Sequence, residues 1–118
     1  MKTINFFSIL FLLLAGMNQS LFAQGKVTTD TIYVKGNCSE CKVRIEEAAY
    51  IKGVKNAEWN KTTRVLTVVY NADKTTLDQI AIAVAKAGHD NRLHISTDKE
   101  YKKLPGCCAY RSGKCKDE

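Results

Sequence analysis

From Thr31 to Lys35 the chain alternates, Ile32 and Val34 being apolar between Thr31, Tyr33 and Lys35, which is the period of a half-buried strand. The polar residues Gln24 to Asp30 read as a leader into it. After Gly36-Asn37-Cys38 the period changes. Cys41, Ile45, Ala48 and Ala49 fall at i, i+4, i+7 and i+8, a single helical stripe, while Lys42, Arg44, Glu46 and Glu47 occupy the remaining positions. Ser39 is the candidate N-cap and Gly53 the stop. Alternation returns in Val54 to Trp59 and Arg64 to Tyr70, joined by the polar Asn60-Lys61-Thr62-Thr63, a link of hairpin length. Ala57 and Trp59 share a face of one strand, and Leu66, Val68 and Tyr70 share a face of the other. A second helix begins near Thr75, with Leu77, Ile80, Ala81, Val84 and Gly88 marking its inward stripe, and Gly88 ends it. Asn91 to Ser96 reads as a last, weaker strand with Leu93 and Ile95 apolar.

The order is β-α-β-β-α-β, which predicts an α+β ferredoxin-like sandwich: a four-stranded antiparallel sheet with two helices on one face. Beyond it, Thr97-Asp98-Lys99-Glu100 has a capping-box pattern and predicts a short helix to Leu104, ended by Pro105-Gly106. A short Cys-rich tail follows, carrying Cys107, Cys108 and Cys115. Tyr101, Leu104 and Tyr110 are the residues expected to pin it to the domain.

At the other end, Lys2, the apolar run Phe6 to Gly16 and a small residue at Ala23 form the n-region, h-region and cleavage site of a secretory signal. The expected organisation is therefore a signal peptide over 1–23, a domain over 24–96 and a short helix with its tail over 97–118. The protein would be periplasmic or secreted. The formal charge of +6 loses only Lys2 with that segment, so the chain stays basic. The bases are scattered and export argues against nucleic acid, so they read as a solvated surface, with a membrane met only through a partner. Five cysteines in an oxidising compartment is an odd number, so at least one must be free, metal-bound or paired between chains.

The chemistry concentrates in Gly36-Asn37-Cys38-Ser39-Glu40-Cys41. Two thiols three residues apart, one in a loop and one in the first turn of a helix, reach the same small volume, and a helix N-terminus favours the thiolate that is both metal ligand and nucleophile. Soft ligands of this kind select Cu(I), Hg(II) and similar ions. Structural zinc normally takes four ligands, and no second Cys or His pair stands at the usual spacing. The same pair could instead serve as a disulfide, and a periplasmic thiol–disulfide oxidoreductase is the alternative from the enzyme class. A thioredoxin-like reading wants a cis-Pro opposite the thiols, and the only proline, Pro105, lies in the tail. No Ser/His/Asp set, cleft acids or phosphate-binding glycine loop appears, so the chain is not expected to be an enzyme. His89 falls in the loop after the second helix, which in this topology faces the Cys loop, as a third ligand or a solvated neighbour. His94 is expected to be exposed. Cys107, Cys108 and Cys115 are either a second soft-metal site or a disulfide with a spare thiol.

A Cys-x-x-Cys at a strand–helix junction of a βαββαβ domain, with Ile45-Glu46 after it, Gly53-Val54 after the first helix and Ala87-Gly88 after the second, resembles the heavy-metal-associated domain family. That resemblance implies an exported, monomeric carrier that binds a soft ion, Cu(I) first and Hg(II) or Zn(II) as alternatives, through Cys38 and Cys41. The carrier would pass it to a metal transporter or other metal-accepting protein; a mercury-binding resistance protein is a second possibility within the family. Two positions depart from the family pattern. Gly36 stands where a loop-supporting Met is usual, and His89 stands where Tyr, Phe or Lys is common.

Overall fold

The computed structural model describes residues 26–112. The expected signal segment and Cys115 lie outside the described residues. Within them the order is β1 (Val27–Tyr33), α1 (Ser39–Ala49), β2 (Val54–Trp59), β3 (Val65–Asn71), α2 (Leu77–Lys86), α3 (Asp98–Tyr101) and a 3-10 turn at Gly106–Cys108. The sheet is antiparallel with strand order β1-β3-β2.

The period-2 positions fill one side of it. Ile32 from β1, Ala57 and Trp59 from β2, and Leu66, Val68 and Tyr70 from β3 are buried. Onto them pack the 3.6-period stripes Cys41, Ile45 and Ala49 of α1 and Ile80, Ala81 and Val84 of α2. Both helices therefore cover one face, as the pattern requires. β1 begins four residues earlier than its apolar alternation, because Val27 to Asp30 pair with Val68 to Asn71 of β3 whatever their polarity. Cys38, rather than Ser39, is the N-cap of α1, with extended dihedrals and no side-chain bond. Thr76 caps α2 by accepting from the Gln79 N–H.

The fourth strand does not form. Only an isolated bridge, Val34 to Asn91, stands in its place. The cause is local. Asn91 Oδ1 accepts the N–H groups of Leu93 and His94, and the Asn91 N–H donates to the His94 carbonyl, closing a turn where a strand would have to extend. Leu93 and Ile95 consequently face out, 49% and 69% exposed, and a cleft of about 250 Å³ lies between Leu93, Arg92 and the outer part of β1. His94 is not fully exposed either, since its Nε2 lies 2.7 Å from Asp78 Oδ1 on α2.

The segment after Ser96 is folded back onto the domain. Thr97 and Glu100 complete the capping box of α3. Gly88, at φ +104°, is where the segment touches down: a Cβ there would meet the Glu100 carbonyl oxygen and Leu104 Cγ, each at 2.9 Å. Arg111 then ties the end of the segment, donating to both oxygens of the nearly buried Asp90 at 2.7 and 3.0 Å and to the Ser96 carbonyl, with its guanidinium 4.4 Å above the Tyr101 ring.

Candidate metal centre

The loop 34–38 carries the chain from β1 into α1, and Trp59 supports it from below. The indole is buried, its Nε1 donates to the Val34 carbonyl at 3.1 Å, and its benzo edge lies where a Gly36 Cβ would come within 3.1 Å. Trp59 from β2 thus fills the space beneath Gly36, and any side chain at that position would press on it. Lys42 and Glu46 on α1 hold Trp59 in turn, Glu46 accepting its N–H at 2.8 Å and Lys42 donating to its carbonyl at 3.0 Å.

On this platform Cys38 Sγ lies 3.5 Å from Cys41 Sγ. Cys41 is fully buried under the first turn of α1, while Cys38 is partly open at the rim. Burial alone would raise the Cys38 pKa, but the Cys41 and Glu40 N–H groups and the neighbouring thiols outweigh it and hold this thiol below its ordinary value.

The 3-10 turn brings two further thiols to the same place. Cys108 is fully buried, with Sγ 3.8 Å from Cys38 Sγ, and the Cys38 thiol faces the Cys107 carbonyl at 3.4 Å. Cys107 itself is exposed. Burial, then the adjacent Cys41, push the Cys108 thiol upward, so without an ion it stays protonated; burial and Cys38 raise Cys107 as well. Cys107 and Cys108 abut the Cys-x-x-Cys loop.

His89 completes the surroundings. It has no exposed surface, and its Nδ1 lies 2.8 Å from the Lys35 carbonyl. A carbonyl can only accept, so Nδ1 carries the proton and Nε2 carries the lone pair. That Nε2 is buried with no hydrogen-bond partner among the described residues. Burial chiefly, opposed by the Lys35 bond, lowers the imidazole pKa and keeps the ring neutral. Tyr110 stacks on the ring with centroids 5.6 Å apart, and its hydroxyl clamps the same loop, donating to the Gly88 carbonyl at 2.6 Å and accepting the Asp90 N–H at 2.8 Å.

Two groups of donors result, Cys38, Cys107 and Cys108 in one and Cys41, His89 and Cys108 in the other, each with its ligand atoms within 4.8 Å of one another. The sequence pointed to Cys38 and Cys41 as a pair and to a His89 loop that faces them. It did not reveal that Cys108 enters the core, nor that Lys35 and Tyr110 fix the imidazole. The pairing of Gly36 with Trp59 was equally hidden.

The profile of the heavy-metal-associated domain matches residues 31–90. No curated protein matches the chain. Among solved structures, the chain is similar to the CopZ metallochaperone, at 29% identity and a TM-score of 0.52, over 54% of this chain and 98% of that one. It is similar to oxidized MerP from Ralstonia metallidurans CH34, at 28% and 0.53, over 56% and 94%. The N-terminal domain of a potential copper-translocating P-type ATPase from Bacillus subtilis, in the Cu(I)-loaded state, matches at 29% and 0.54, over 62% and 94%. Each match covers more than half of this chain and about all of the other. With a Cys-x-x-Cys at the head of α1 and the family profile spanning both thiols and His89, this chain belongs to the heavy-metal-associated domain family.

Proposed function

We propose that this protein is an exported carrier that binds a soft heavy-metal ion, Cu(I) foremost, through Cys38 and Cys41 and passes it to a metal transporter by thiolate exchange. The observation that carries the reading is the pair of Sγ atoms 3.5 Å apart at the open N-terminus of α1, one at the rim and one beneath it. A thiol proton leaves as each sulfur takes the metal and returns as an incoming thiolate displaces it, so no redox partner is needed. A rim thiol with lowered pKa is the group an acceptor would engage first. The apo-Cys38 environment also suits nucleophilic attack on a disulfide, which makes an oxidoreductase the second reading.

Titration of the reduced protein with Cu(I) against a competing chelator tests the first reading. The Cys38→Ser/Cys41→Ser double variant should lose high-affinity binding; unchanged affinity would place the site elsewhere. Catalytic turnover in an insulin-reduction assay would favour the second reading, and a carrier should show none.

A further inference from the structure

We propose that the Cys107-Cys108 turn is a built-in lid on the metal loop, and that Cys108 and His89 Nε2 complete a four-donor Cys3His shell with Cys38 and Cys41. The inference rests on the carrier reading for the loop pair and adds two ligands to it. With them comes a second class of ion: a divalent, four-coordinate one such as Zn(II).

Three observations carry it. The first is the unpartnered Nε2. A buried polar atom with no partner is unfavourable, and this one belongs to an imidazole that falls in one donor group with Cys41 and Cys108, its tautomer already set for ligation. A metal-ligating histidine characteristically donates its other ring N–H to a carbonyl, which is what Nδ1 does to Lys35. The second is spacing. Sulfurs about 2.3 Å from a tetrahedral ion stand about 3.8 Å apart, against about 4.6 Å across a linear two-coordinate one. The Cys38–Cys41 and Cys38–Cys108 separations, 3.5 and 3.8 Å, lie nearer the former, while Cys38 and His89 fall in different donor groups, so the ion would have to draw these two together. The third is enclosure. Cys41, Cys108 and His89 are all fully buried, so three of the four donors are closed to outside ligands while the turn is seated. The seat is built for one position, since Leu104 lies on Gly88 and the Tyr110 hydroxyl bridges Gly88 and Asp90.

The lid changes how the ion would leave. With the loop pair alone, an incoming thiolate meets a two-coordinate metal. With the turn seated, Cys108 must first give up its place, which makes release dependent on lifting the 3-10 turn.

X-ray absorption of the reduced, Zn(II)-loaded wild-type protein reads the shell directly and needs no variant to fold. Three sulfurs and one imidazole nitrogen are expected; fewer than three sulfurs, or no imidazole, overturns the proposal. Competition with a Zn(II) chelator gives the second readout. Losing even an outer partner of a ligating histidine costs about 10- to 100-fold, so Cys108→Ser and His89→Gln should each weaken Zn(II) binding by at least about tenfold. If both bind as tightly as wild type while Cys38→Ser/Cys41→Ser has lost Cu(I), the lid is wrong and the carrier reading stands. If the double variant keeps Cu(I), the carrier reading itself has failed.

Discussion

Replacing Gly36 with alanine tests whether Trp59 is what holds the metal loop up. The glycine is not required by its dihedrals, since its φ lies outside the left-handed region; it is required by space. A Cβ at 36 would stand 3.0 Å from Cys41 Cβ and 3.1 Å from two atoms of the Trp59 benzo ring. Neither neighbour gives easily. Cys41 sits in the first turn of α1, and the indole is fully buried and tied to the Val34 carbonyl. Overpacking a filled interior costs about 1–3 kcal/mol. Against this, alanine stiffens the unfolded chain and returns about 0.4–1 kcal/mol. The net expectation is a loss of about 1–2 kcal/mol, a Tm lowered by roughly 5–15 °C for a domain of this size. Urea and thermal unfolding of the reduced, metal-free protein would be measured for wild type, Gly36→Ala, Trp59→Phe and the double variant. Phenylalanine removes the crowding benzo atoms but leaves Cys41 Cβ, so in that background Gly36→Ala should cost less, a coupling of about 0.5 kcal/mol or more. A Gly36→Ala protein as stable as wild type, or a cost unchanged beside phenylalanine, would refute the steric reasoning.

Two further outcomes follow from the tail. Tyr110→Phe removes a hydroxyl bonded on both sides, to the Gly88 carbonyl and the Asp90 N–H, and should cost about 1–3 kcal/mol, with faster hydrogen exchange at the Asp90 amide as the local readout. For Asp90, burial alone would raise the carboxyl pKa, but Arg111 and the Ser96 N–H outweigh it and hold the pKa below the ordinary value. A depressed carboxyl pKa contributes stability above the unfolded value of about 3.9 that is lost as pH falls through the lower folded value. Arg111→Ala leaves the nearly buried carboxylate without its cation and should cost about 3 kcal/mol at pH 7. Its deficit against wild type should narrow on acidification toward pH 3 in urea titrations; a deficit that is constant with pH would deny the ion pair its role.

Periodicity made much of the fold legible, because it records which side of each element meets the core. The stripes Cys41, Ile45, Ala49 and Ile80, Ala81, Val84, and the strand faces of β2 and β3, are local facts that the packed structure repeats. The short helix was equally readable, since a capping box is complete within four residues. The last strand failed for the converse reason: Leu93 and Ile95 alternate as a strand would, while Asn91 offers the backbone a competing turn that alternation does not register. The metal loop was visible as a spacing, but its surroundings depend on partners far along the chain. Nothing near Gly36 announces Trp59, and nothing near Cys108 announces Cys38. Such contacts come from tertiary packing, so the thiols of the tail could be named and their docking could not.

The 70 residues that separate Cys38 from Cys108 give the centre an order in time. A contact over that separation closes only at the entropic cost of a long loop, while the Cys38–Cys41 pair spans three residues. Closing a loop of that length waits on the sheet and both helices, since the seat of the turn is made by Gly88, His89 and Asp90. The Cys38–Cys108 contact therefore depends on nearly the whole domain, whereas the Cys38–Cys41 pair is local to one loop. On the lid proposed above, an ion that arrived before the turn seated would be enclosed by the completed fold, and one that arrived afterwards would wait for the turn to open.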